Sequence, residues 1–325
     1  MYSNKENVNI LTALLVKERV KKAVVCPGSR NSPIVHNLCA CPDIECYPVT
    51  DERSAGFVAL GMTLADNEPV AVCVTSGSAL LNLAPAVAEA FYQKRPLIII
   101  SADRPAQWID QQDGQTLQQH RALEPNVRKS VTLPEPHNEE ERWYCNRLVN
   151  EALNAVRLND GSPVHINVPI SEPLFEYDVP KLPDERDIFM LHATTDSICV
   201  YEMAADFFRG KKLMFVLGQL TPEVVGNSIE AIEALKKVAV VLQEKLADDD
   251  IGPAQPIDEV LKMIGEDEAY RPDHLIYIGG TIVSKRLRQF LRECKCNMSI
   301  VVNGIDEFCD TFMHTTDMIQ GLPED

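Results

Sequence analysis

The chain has 325 residues, 45% of them apolar and 24% charged, the balance of a globular protein long enough to bury two cores. No stretch approaches the roughly 18 consecutive apolar residues of a membrane span, and Met1-Tyr2-Ser3-Asn4-Lys5-Glu6 lacks the basic-then-apolar pattern of a secretory signal. A net charge of −17 repels phosphate backbones, which argues against a nucleic-acid partner and makes any local Arg or Lys cluster informative.

Ten cysteines are present, with no Cys-x-x-Cys. Cys39-x-Cys41 and Cys294-x-Cys296 are spaced too tightly for the usual zinc knuckles, so no metal site is expected. The reading is reduced, mostly buried thiols in a cytoplasmic protein.

The chain alternates between two periodicities. Residues 3–18 carry a helical stripe (Val8, Ile10, Leu11, Leu14, Leu15), with Ser3-x-x-Glu6 as a capping box. Ala23 to Cys26 is a short strand stopped by Pro27-Gly28. A helix follows to about Cys39, with Ser32 as cap and Pro33 in its first position. Ile44–Thr50 is a strand and Ser54–Ala65 a small-residue helix expected to be largely buried, with Glu52 at the junction. Val70–Val74 is a strand, Thr75-Ser76-Gly77-Ser78 a turn, and Ala79–Gln93 a helix bent at Pro85. Leu97–Ile100 is a strand that leaves through Ser101-Ala102-Asp103-Arg104-Pro105. Residues 106–126 are polar and Gln-rich, Val127–Leu133 is extended, Asn138–Leu158 is a long helix and Val164–Val168 a strand. The proline- and acid-bearing stretch 171–190 reads as an interdomain connection. Beyond it come helices at 194–209, 223–237, 257–264 and 283–292, with strands at 213–217, 238–242, 274–278 and 299–302.

Near-continuous Val/Ile strands alternating with helices predict an α/β chain of two doubly wound parallel-sheet domains. The expected boundaries are 1–180, a linker at 181–190, and 191–325. Functional residues in such sheets lie in loops beyond the carboxyl ends of the strands. Four loops qualify: Pro27 to Arg30, Asp51-Glu52, Thr75 to Ser78, and Asp103-Arg104. Each has a plain alternative taken alone: a βα turn, an acid complementing a helix dipole, a helix cap, an ion pair. No Gly-x-Gly-x-x-Gly follows a strand and no P-loop lysine motif occurs, so nucleotide binding has little support.

Taken together and in order, Cys26-Pro27-Gly28-Ser29-Arg30-Asn31-Ser32-Pro33, Asp51-Glu52-Arg53-Ser54-Ala55-Gly56, Val74-Thr75-Ser76-Gly77-Ser78-Ala79-Leu80-Leu81-Asn82 and Ser101-Ala102-Asp103-Arg104-Pro105 resemble the pyrimidine-binding domain of thiamine-diphosphate enzymes. Within that group the Pro-Gly-Ser-Arg and Ala-Asp-Arg-Pro pieces resemble the synthases that join 2-oxoglutarate to isochorismate in menaquinone biosynthesis. The resemblance is dense over residues 1–180 and thinner over the second domain.

The resemblance implies roles. Glu52 is the carboxyl that hydrogen-bonds a ring nitrogen of the cofactor's aminopyrimidine and favours the tautomer that deprotonates the thiazolium carbon. That role needs a raised pKa in a pocket backed by Ala55, Gly56 and Phe57. Pro27, Gly28, Thr75, Ser76 and Asn82 join Glu52 around the cofactor. Ser29, Arg30, Arg104 and Gln115 line the isochorismate side, where guanidinium forks suit carboxylates. Lys285 and Arg286 are implied as further substrate ligands, and two cations opposing a helix dipole fit a ligand better than a stabilising role. A solvated basic helix face is the plain alternative.

The family also holds Mg2+ and the diphosphate through a Gly-Asp-Gly segment. None occurs in this sequence, which stops at Glu324-Asp325. The expectation is therefore a chain without the diphosphate-binding domain, with no activity and no Mg2+ site by itself. The full protein is expected as a homodimer or homotetramer with the cofactor between subunits. The competing readings are another thiamine-diphosphate 2-oxoacid synthase or decarboxylase and a non-enzymatic α/β binding module.

Overall fold

A computed structural model describes residues 1–157, 161–192, 209–244, 247, 255–303 and 308–320. The chain divides into two compact units, Met1–Asp187 and Ile188–Asp325.

The first unit runs α1 (Glu6–Lys17), β1 (Lys22–Val25), α2 (Ser32–Ala40), β2 (Glu45–Pro48), α3 (Glu52–Asp66), β3 (Val70–Val74), α4 (Ser78–Asn82), α5 (Ala84–Tyr92), β4 (Leu97–Asp103), β5 (Lys129–Thr132), α6 (Glu139–Arg157) and β6 (Val164–Pro169). Its six strands are all parallel, in the order β2-β1-β3-β4-β6-β5. Because side chains alternate across a strand, neighbouring residues feed opposite cores. Val25, Ala71, Cys73, Ile98 and Ile100 pack with α1, α2 and α6; Val24, Val72, Val74, Leu97 and Ile99 pack with α3, α4 and α5. Helices on both faces explain why every residue of β3 and β4 is buried.

Several local expectations shift. The capping box does not form: Ser3 is buried with its N–H on Asn37 Oδ1 (2.7 Å), and α1 starts three residues on without a side-chain cap. The helix expected from 79 to 93 is two helices, broken at Leu83, because Pro85 has no N–H for a continuing helix. Asp103 is the last residue of β4 and buried, rather than part of an exit loop. α3 buries only Ala55, Gly56, Ala59, Leu60 and Thr63; Phe57 and Val58 face solvent, because a helix that packs one face must expose the other. Phe57 therefore does not back Glu52.

The segment expected as a linker is largely built into the two units. Glu185 is buried and held by Arg142 and Asn146, while β7 (Phe189–His192) is the edge strand of the second sheet.

The second unit continues with β8 (Leu213–Leu217), α7 (Pro222–Leu235), β9 (Val240–Gln243), α8 (Ile257–Ile264), β10 (His274–Ile278), α9 (Lys285–Glu293), β11 (Met298–Asn303) and β12 (Asp317–Gln320). Its six parallel strands are ordered β7-β12-β11-β10-β8-β9. β7 and β12 were not expected. The helix expected at 194–209 lies, but for Arg209, outside the described residues, as do Asn159 and Asp160 after α6. No described helix is long and apolar enough to cross a membrane.

Candidate functional site

In the first sheet β1 lies between β2 and β3, so the chain turns one way after β1 and the other way after β2. Such a switch point opens a crevice at the carboxyl ends of the strands. Pro27 and Gly28 leave β1 there, and Thr75 and Ser76 leave β3. A Cβ on Gly28 would sit 2.5 Å from both Asn31 Oδ1 and Thr75 Cβ, so only glycine fits the approach. Asn31, fully buried, donates from Nδ2 to Cys26 O at 2.8 Å, while its Oδ1 has no hydrogen-bond partner among the described residues. Thr75 and Ser76 are buried, Pro27 and Gly28 exposed, and Asn82, the last residue of α4, half-buried.

Glu52 opens α3. Asp51 caps the helix by accepting from Arg53 N at 3.2 Å, which leaves Glu52 half-buried with no hydrogen-bond or ion-pair partner among the described residues. It lies near the end of β1: burial pushes the Cys26 thiol up to about 12, and the charges of Glu52 and then Asp51 add to that. Pro27 and Gly28 also line a 320 Å³ cavity with Cys26, His36 and Tyr177, in which Tyr177 stacks on His36 at 3.7 Å and bonds Ser32 Oγ at 2.7 Å.

Arg30 and Arg104 come together in a separate 560 Å³ cavity with Trp108, Asp113, Ser171 and Glu172. Arg30 is buried; its guanidinium donates to Ile170 O at 2.8 Å and pairs with Glu172 at 2.9 Å. Arg104 pairs with Asp113 at 3.1 Å and donates to Gly114 O at 3.0 Å. The Asp103–Arg104 ion pair considered from the sequence is not made: Asp103 Oδ1 instead accepts the Arg104 backbone N–H at 2.8 Å. Ser29 and Gln115 are exposed and do not line this cavity. Gln115, at φ +56°, lies with its backbone against Gly77 instead.

Between these regions is a buried polar cluster that the sequence reading missed. Gln119 Oε1 accepts the Gly77 N–H at 2.7 Å, and its Nε2 donates to Asn167 Oδ1 at 2.8 Å and Ala102 O at 3.0 Å. Asn167 Nδ2 donates to Asp103 Oδ2 at 2.8 Å. Ser101 Oγ meets Asn167 Oδ1 and His165 Nε2, each at 2.8 Å. Burial raises Asp103 above the ordinary carboxylate value, against hydrogen bonds from Asn167 and Arg104 N and the charge of Arg30. Burial, and then the charge of His120, pushes His165 down to about 3, so its ring is neutral. A signal was available: His165 and Asn167 alternate with apolar residues in a strand buried on both faces, where unpaired polar side chains are costly.

In the second unit Lys285 and Arg286 are exposed at the start of α9, beside a 510 Å³ cavity with Glu244 and Asp258. Ser284 caps the helix by accepting from Leu287 N at 2.9 Å, and Arg286 donates to Asp258 O at 2.8 Å. A larger cavity, 1160 Å³, lies at the other end of the same sheet, where Lys212 and Val238 precede β8 and β9. It contains no candidate residue and sits at the amino ends of the strands, away from where parallel α/β sheets place their chemistry.

Residues 6–123 match the family described as thiamine pyrophosphate enzyme, N-terminal TPP binding domain. The chain is 46% identical over 305 residues to a 2-succinyl-5-enolpyruvyl-6-hydroxy-3-cyclohexene-1-carboxylate synthase of Bacteroides fragilis, covering 90% of this chain and 54% of that protein. The same-named proteins of Bacteroides thetaiotaomicron and Phocaeicola vulgatus are 43% identical over 337 residues and 47% over 302, covering 99% and 90% of this chain and 59% and 53% of their own lengths. The chain thus spans little more than half the length of the curated relatives it matches.

Proposed function

Because this chain resembles the 2-succinyl-5-enolpyruvyl-6-hydroxy-3-cyclohexene-1-carboxylate synthases along nearly its whole length, we propose that it is part of an enzyme with that activity. The complete protein decarboxylates 2-oxoglutarate and transfers the remaining four-carbon unit to isochorismate, a transferase step of menaquinone biosynthesis in the cytoplasm. The single observation that carries this reading is the 43–47% identity to proteins of that name.

The switch-point crevice suits the pyrimidine end of thiamine diphosphate. Glycine at 28 keeps it open, and Glu52 stands half-buried with no hydrogen bond or ion pair to its carboxyl among the described residues. When bound, the cofactor supplies carbanion stabilisation. Glu52 holds and returns the proton of a ring nitrogen, and Pro27, Gly28, Thr75, Ser76 and Asn82 shape the pocket around it. Arg30 and Arg104 take the carboxylates of isochorismate as forks. Their present partners, Glu172 and Asp113, are the surface carboxylates that a ligand displaces. Ser29 and Gln115 stay outside that cavity, and in the second unit Lys285 and Arg286 offer further exposed cations suited to a carboxylate substrate.

No Gly-Asp-Gly occurs in these 325 residues, and they span little more than half the length of the relatives they match; the expected outcome of assaying the 325 residues by themselves is no turnover. Phe57, Val58 and the Leu81 side chain of α4 are exposed large apolar groups, which fits a homodimer or homotetramer that covers them.

The test is the complete protein with thiamine diphosphate, Mg2+, 2-oxoglutarate and isochorismate, read by mass spectrometry. The expected result is the succinylated cyclohexene product from that pair alone. Product from pyruvate or another acceptor, and none from that pair, overturns the reading in favour of a different 2-oxoacid synthase.

A further inference from the structure

Gln119 is 1% exposed, on a segment that is otherwise polar and mostly at the surface. Its one carbonyl and its amide NH2 are all engaged, and they face opposite ways. The carbonyl takes the Gly77 N–H, at the turn that ends β3 and caps α4. The NH2 goes to Ala102 O and Asn167 Oδ1, and Asn167 passes its own NH2 to Asp103, which accepts the Arg104 N–H. Gly77 adopts φ +82°, ψ −144°, a conformation that only glycine reaches easily and that nothing in its own side chain can hold. Its position is therefore set from outside, by Gln119 and by the Gln115 backbone against it.

Each amide in this chain of bonds has one orientation that satisfies it. Turning Gln119 over would point its NH2 at the Gly77 N–H; turning Asn167 over would point its carbonyl at the Asp103 carboxylate. The low dielectric of a buried site makes such a mismatch expensive. We propose that Gln119 is a positioning residue that locks the Thr75–Gly77 turn and the Asp103–Arg104 strand end into one geometry through Asn167. Its consequence for substrates rests on the function proposed above; the lock itself does not.

Two measurements separate these. In the 325-residue chain, amide hydrogen exchange at Gly77 and Arg104 is followed by NMR. Gln119→Met, close in volume but unable to bond, accelerates both amides at least tenfold. Asn167→Leu accelerates Arg104 but leaves Gly77 within twofold, because Ala102 O still orients Gln119. Unchanged exchange at Gly77 in Gln119→Met overturns the lock, as does equal acceleration of both amides in Asn167→Leu. If Gln119→Met does not fold, Gln119→Glu keeps the acceptor for Gly77 and loses the donors, so Arg104 alone should accelerate; acceleration of Gly77 in that variant counts against the lock.

In the complete enzyme, Gln119→Met raises both the Kd for thiamine diphosphate and the KM for isochorismate at least fivefold, whereas Asn167→Leu raises only the KM. Equal effects of Asn167→Leu on both constants overturn the coupling of the lock to the site. If the wild-type enzyme does not use that substrate pair, the functional reading fails while the exchange experiment still decides the lock.

Discussion

The two units are built alike and finished differently. Both are six-stranded parallel sheets, yet the first buries, toward its carboxyl edge, polar side chains that bond one another, Asp103, Gln119 and Asn167, with His165 joined to them through Ser101 from further down the sheet. At the carboxyl edge of the second, Lys285 and Arg286 are surface residues on a capped helix start. Burying polar groups costs stability unless every one is paired. The first edge meets that condition nearly everywhere, and what it gains is fixed geometry. The second offers charge on exposed side chains. The proposed division of labour follows: proton transfer and orientation in the first unit, electrostatic capture in the second.

The largest test of this contrast is acid. His165 sits near 3 in the folded chain against an ordinary 6.5. Between those values the unfolded chain binds a proton that the folded chain does not. The contribution of His165 is complete above pH 6.5 and is lost as pH falls toward 3, by about 1.4 kcal/mol per pH unit. Urea unfolding at pH 6.5 and 5.0 should show a loss of about 2 kcal/mol from this group, reduced accordingly in His165→Gln. Asp103 has the opposite sign. Its folded value is raised, so its contribution is present below the ordinary carboxylate value and lost as pH rises through the folded one. If the acid loss is the same in His165→Gln, the buried polar cluster of the first unit is not the acid-sensitive part.

Next in size is Gly28→Ala. The added methyl meets Asn31 and Thr75 at 2.5 Å, and forcing it in should cost about 1–3 kcal/mol by chemical denaturation. A cost near zero means that Asn31 and Thr75 yield and the crevice is not rigid. Smaller again is Arg104→Lys, which puts a point charge in place of a fork and should raise the KM for isochorismate about tenfold. The smallest effect is expected for Lys285→Arg, about twofold or less, because an exposed cation reaching for a carboxylate tolerates a change of shape. If Lys285→Arg is the more damaging of the two, the contrast between fixed and adaptable edges is reversed.

Much of this organisation is legible in the sequence, for identifiable reasons. Strands buried on both faces, such as Val70–Val74, declare themselves as unbroken apolar runs. Pro27-Gly28 and Thr75-Ser76-Gly77 mark strand ends because turns need those residues. β12 escaped because only Met318 and Ile319 of its four residues are apolar, and β7 because its run Phe189-Met190-Leu191 begins within the stretch read as an interdomain connection. Gln119 escaped for another reason. Gln118 beside it is exposed, Gln119 is buried, and nothing local distinguishes them; only the arrival of β6, some fifty residues later in the chain, gives Gln119 a partner in Asn167. The separate placing of Gln115 at Gly77, away from the Arg30–Arg104 cavity, was invisible for the same reason, being a matter of how a loop returns rather than what it contains.

The central claim is that Glu52 relays the proton that activates the cofactor. Its most direct measurement is the hydrogen–deuterium exchange rate at the thiazolium carbon of thiamine diphosphate bound to the complete enzyme, in wild type and Glu52→Gln. The account predicts a fall of about 10²–10⁴-fold with the cofactor Kd within threefold of wild type. An unchanged exchange rate in a folded, cofactor-loaded Glu52→Gln enzyme would contradict it.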